Sequence, residues 1–79
     1  MTKEELVLDW EKIDQAAMAL MYLTLHDQRR VWKGIDWGIL DRLFEHDWIS
    51  DPVSKTKSVI LTDKGINTAR KALKDLFSK

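Results

Sequence analysis

The sequence predicts a single α+β domain over residues 1–79, built from three helices and a two-stranded β-hairpin. Three observations carry this. Apolar residues recur at helical spacing in three stretches. Between the second and third, the pattern changes to two extended, β-branched runs flanking a polar tip over residues 48–61. The length, 79 residues, suffices for one core and no more. Surface scaling gives ~5,000 Å² accessible when folded against ~13,500 Å² unfolded, so roughly 60–65 % is buried.

The first helix is expected over about residues 3–25. Thr2 with Glu5 three positions later forms a capping-box pattern. Leu6, Trp10, Ile13, Ala17 and Leu20 then follow at 4-3-4-3 spacing, one face of a helix. A second stripe of Ala17, Met18, Met21 and Leu25 makes residues 16–25 apolar nearly all round. This half is expected to be the central, most buried element, with the other elements packed against it.

Residues 26–34 show no helical stripe, and Val31 with Trp32 reads as a short extended piece. Asp36 can cap a second helix over about residues 36–46, with Trp37, Leu40, Leu43, Phe44 and Trp48 as its apolar positions. It should end at His46-Asp47, because Asp tolerates the left-handed conformation better than most residues. The hairpin follows over about residues 48–61, with Pro52 confining its first strand to an edge or ending it. Thr62 caps the last helix, about residues 62–77, with Asp63 in its first turn. The expected buried face is Ile66, Ala69, Leu73, Leu76 and Phe77.

Thirteen basic and thirteen acidic side chains give a net charge of zero. The cancellation is between segments: residues 1–28 sum to −4, residues 29–60 to +1 and residues 61–79 to +3. A basic footprint for nucleic acid therefore has to come from the last two thirds of the chain. The absence of cysteine excludes a disulfide scaffold and a thiolate zinc site. The N-terminus carries carboxylates where a signal peptide carries positive charge, and neither end carries a lipidation motif. The longest apolar run, residues 16–25, is half of the ~20 residues a spanning helix needs. The expectation is a cytoplasmic protein with no membrane partner.

Two resemblances add to this reading. Residues 40–49, Leu-Asp-Arg-Leu-Phe-Glu-His-Asp-Trp-Ile, are followed by the polar hairpin and by Leu61-Thr62-Asp63-Lys64-Gly65. This resembles the second half of a winged helix-turn-helix domain, over roughly residues 36–77. It implies a recognition helix, a wing and a binding role toward DNA. The chain departs from that pattern in two ways. Residues 26–34 supply no extra helix before the would-be recognition helix, whose outward positions include Asp36, Asp41 and Glu45 beside Arg42. Carboxylates oppose approach to phosphates. The whole chain is also similar to a family of short uncharacterised bacterial proteins, a domain of unknown function. The similarity lies in Ala-Leu-x-Tyr-Leu-Thr-Leu-His at residues 19–26, Trp-Lys-Gly-x-Asp-Trp at residues 32–37 and Ile-Ser-Asp-Pro-Val at residues 49–53.

The candidate functions are two. The first is DNA binding, through Lys55 and Lys57 on the wing with Arg29, Arg30, Lys33 and Arg42 in support. The second is protein interaction, as a homodimer or with another partner, through Trp32 and Trp37, since Trp is favoured at interfaces. Four tryptophans in 79 residues motivate it. His26-Asp27 and His46-Asp47 repeat a dipeptide that can hold a divalent ion, but no further ligands stand at metal-site spacing, so both pairs read as helix-end residues. There is no Gly-rich phosphate loop and no nucleophile–base spacing. No catalytic residue, metal, cofactor or small-molecule substrate is expected.

Overall fold

The structure, a computed structural model, describes residues 6–53 and 55–79. It has three helices and a two-stranded antiparallel sheet in the order α1 (Trp10–Tyr22), β1 (Arg30–Trp32), α2 (Trp37–Glu45), β2 (Ser58–Ile60) and α3 (Asp63–Ala72). A π-helical turn, Leu73–Phe77, continues α3. The α+β class is as the sequence predicts.

Local chemistry sets the element ends. Asp36 accepts from the Ile39 N–H at 3.3 Å and caps α2; Thr62 accepts from the Gly65 N–H at 2.9 Å and caps α3. Asp47, with φ 62°, turns the chain out of α2 in the left-handed region, as expected of that residue. The first helix differs. It starts at Trp10, where the Asp9 carboxylate accepts from the Lys12 N–H at 3.0 Å, and residues 6–9 precede it without helix. The Thr2–Glu5 capping box lies outside the described residues.

The sheet also differs in its partners. β2 pairs in register with β1, Arg30 opposite Ile60, Val31 opposite Val59 and Trp32 opposite Ser58. The arm expected as the first hairpin strand contributes a single bridge, Ile49 to Leu61, with the Ser50 N–H donating to the Ile60 carbonyl at 2.8 Å. Pro52, lacking an N–H, is fully buried just beyond it. On the other side of β1 the chain folds back tightly. His26 and Arg30 exchange both backbone hydrogen bonds around Asp27 and Gln28, whose φ values are 47° and 70°.

α1 contacts α2, α3, β1 and the π-helical turn, so it is central. Its buried side is Asp14, Ala17, Met18, Ala19 and Met21. Of these, Ala17, Met18 and Met21 meet Val31, Leu40, Leu43, Ile49, Val59 and Leu61 in one cluster. The expected stripe from Leu6 through Trp10 to Leu20 is not the core face. Leu20 is 52 % exposed and Leu23 69 %. A helix apolar all round offers two candidate faces, and the rest of the chain covers only one. Similarly, Trp48 is buried while Trp10 is half exposed, and Leu76 and Phe77 stay partly exposed beyond Ala72.

Gly65 is required by a close approach. A Cβ there would stand 1.9 Å from the Trp48 carbonyl oxygen, which also accepts from the Thr62 N–H. The step from Thr62 to Gly65 thus docks α3 against the end of the α2 turn.

A candidate interaction surface

The outward face of the sheet is set by strand alternation. Val31 and Val59 face the core, so Arg30 and Trp32 face out, opposite Ile60 and Ser58. Trp32 is 51 % exposed and stacks on His26, ring centroids 4.5 Å apart. Its N–H donates to the Thr24 hydroxyl at 2.9 Å, which fixes the end of α1 beside β1. Trp32 then lies between two grooves. One, about 400 Å³, is lined by Trp32, Lys33, Gly34, Thr56 and Lys57; the other, about 290 Å³, by Leu20, Met21, Thr24, Trp32, Gly34 and Ile35. Trp37, 57 % exposed, stands 5.8 Å from the Lys33 ammonium at the start of α2.

The six cationic candidates divide. Arg42, expected to face outward, instead donates from Nε and Nη2 to the Asp14 carboxylate at 2.9–3.0 Å. Asp14 is 1 % exposed, and these hydrogen bonds hold the Arg42 guanidinium above its ordinary pKa. The Trp10 ring lies 4.6 Å from the same guanidinium, and His46, stacked on Trp48, is 3.8 Å from Asp14. Arg29 pairs with Asp63 at 2.6 Å. Arg30 donates to the Ser58 hydroxyl at 3.2 Å, and Lys33 to the Pro52 carbonyl at 2.8 Å. Lys55 and Lys57 are exposed on the loop, with no such partner among the described residues. The structure thus gathers Trp32, Lys33 and Lys57 along one groove, and turns Arg29 and Arg42 to acids elsewhere.

Sequence reasoning missed Asp14. An acid in the middle of an apolar helical run was its signal, since a buried carboxylate demands a cation. It also missed the outer side of α1, where Ile13, Ala16, Leu20 and Leu23 fall at 3-4-3 spacing and Ile13 and Ala16 are only partly covered. Among the described residues no group of three or more His, Cys, Asp or Glu is placed to hold a metal ion. No described helix is long and apolar enough to cross a membrane.

Residues 9–79 match the family described as Domain of unknown function (DUF6429). The chain is 47 % identical over 72 residues to the uncharacterized protein y4hR of Sinorhizobium fredii (strain NBRC 101917 / NGR234), a span covering 91 % of this chain and 97 % of that protein. No solved structure matches. The chain belongs to this family of short uncharacterised proteins.

Proposed function

We propose that this chain is a non-enzymatic interaction module that self-associates through the outer side of α1 and the neighbouring Trp32 face. One observation carries the reading. The outer side of α1 and its C-cap carry an apolar stripe, Ile13 and Ala16 partly covered and Leu20 and Leu23 exposed, and at Leu20 the stripe runs into the groove of Trp32, Gly34 and Ile35. Contiguous exposed apolar surface of this kind marks an interface. A standard interface buries roughly 800 Å² on each partner, about one seventh of the 5776 Å² this chain exposes.

DNA binding through α2 and the wing draws less support. The exposed positions of α2 are Trp37, Gly38, Asp41, Phe44 and Glu45, without a base. Lys55 and Lys57 on the loop favour it, as exposed cations, without a side-chain partner among the described residues, that can meet phosphate.

Sedimentation across the micromolar range tests the reading. The mass should rise with concentration from 9.3 kDa toward twice that. Leu20→Glu should keep the helical circular dichroism and hold the chain monomeric. A mass of 9.3 kDa at every concentration overturns the proposal. So does tight binding of random duplex DNA at low salt that Lys55→Ala/Lys57→Ala abolishes, because the exposed surface would then serve nucleic acid.

A further inference from the structure

The segment before α1 is as unusual as the groove after it. Val7 is fully exposed and Leu6 half exposed. The backbone of residues 6–8 has no hydrogen-bond partner among the described residues. Two consecutive large apolar residues, Leu6 and Val7, thus stand out in solvent, with Leu8 half-buried behind them, and in the sequence the three are flanked by Glu4, Glu5 and Asp9. By sequence this is an acidic, apolar segment, and its described residues belong to no helix or strand.

The end of β1 is the converse. Lys33 donates to the Lys57 carbonyl and Leu61 to the Arg29 carbonyl, so the ladder pairs odd-numbered residues of this strand with β2. The N–H and C=O of Arg30 and Trp32 therefore point the other way. His26 satisfies both groups of Arg30, and Thr24 satisfies the Trp32 N–H. Beyond that point the edge is open. The Trp32 carbonyl and the Gly34 N–H have no partner among the described residues. Alongside this edge runs the apolar groove of Leu20, Met21, Trp32 and Ile35. Its neighbouring groove carries Lys33 and Lys57, and no acid lines either one.

We infer that the groove beside β1 receives residues 4–9 of a second copy of this chain, added as a short strand along residues 32–34, and that two copies exchange these arms. The chemistry of the two parts is complementary: apolar side chains for the groove, unpaired backbone for the open edge, and carboxylates for the exposed Lys57. The geometry also fits the proposed dimer. Two α1 helices packed antiparallel through their outer stripes place the start of one beside the end of the other. An extended arm of six residues spans about 20 Å, close to the length of α1 itself. The exchange is isologous, so each groove is filled once and the assembly closes at two.

The inference rests on self-association, and the experiment separates the two. The chain contains no cysteine. Val7→Cys replaces a side chain in open solvent, and Gly34→Cys adds a Cβ that meets nothing within 4 Å. Mixed under mild oxidation, the two single variants should form a disulfide-linked dimer at least roughly tenfold faster than Val7→Cys mixed with Lys74→Cys, the expectation for a contact worth about 1.4 kcal/mol. Glu4→Lys/Glu5→Lys should weaken the dimer by a similar factor. Equal cross-linking rates, in a chain whose mass still doubles, overturn the arm exchange and leave self-association standing. A chain that stays at 9.3 kDa overturns both.

Discussion

At the scale of single residues, the Asp14–Arg42 pair decides most. Asp14 is almost wholly buried and its carboxylate depends on the three hydrogen bonds from Arg42 for compensation. Arg42→Met leaves that charge unpaired and should destabilise the fold by about 3 kcal/mol, the lower end for a buried pair because the guanidinium is partly exposed. Asp14→Leu/Arg42→Met should recover most of the loss, since apolar replacement of a whole buried pair is often neutral. Urea midpoints for the single and double variants, at constant slope, measure this. Gly65→Ala is a second sharp case. Its Cβ would overlap the Trp48 carbonyl oxygen, so the backbone of one element has to move. A loss of about 3 kcal/mol in the same assay is expected.

At the scale of elements, the ends are governed by short-range chemistry. Thr62 both accepts from Gly65 and donates to the Asp47 carbonyl at 2.6 Å, so it ties α3 to the α2 turn. Thr62→Ala should cost about 1–2 kcal/mol by thermal or urea unfolding, more than a cap alone often gives at an exposed site. Such features are legible in a sequence because cap and capped amide lie three residues apart. Asp36 and Thr62 were readable on that ground, and Asp47 on its tolerance of the left-handed conformation. Strand partners were not, because β2 had two extended neighbours to choose from. The nearer one, around Ile49, carries Pro52 and makes one bridge. The farther, Arg30–Trp32, wins with Val31 opposite Val59 in the core. The inner and outer sides of α1 were equally illegible, since Leu20 and Leu23 look as apolar as Met18 and Met21 until the other elements take their places. For the site, exposure of Trp32 and Trp37 followed from their position beside Gly34, whereas the capture of Arg42 by Asp14 joins residues 28 positions apart.

At the scale of the whole molecule, self-association couples to stability. A fold that dimerises gains stability as its concentration rises, by mass action. The melting temperature of the native chain should therefore climb across a hundredfold range of concentration, on the order of the several degrees that ~1–2 kcal/mol gives a domain this small. Leu23→Lys, at a position 69 % exposed, should leave the monomer's stability within about 0.5 kcal/mol and flatten that dependence. Differential scanning calorimetry of both proteins at matched concentrations reads the difference.

The pairing of β1 with β2 also has a topological consequence. The two strands lie on either side of α2 in the sequence, so the stretch between residues 32 and 58 leaves the sheet and returns to it. Lengthening the exposed loop after Val53 only enlarges a closed circuit, and doubling a loop costs about 0.6 kcal/mol. Cutting the same loop puts each strand on a different piece, and neither piece retains a sheet. The loop is therefore the place to insert a tag, and the two halves of a chain divided there should fold only on meeting.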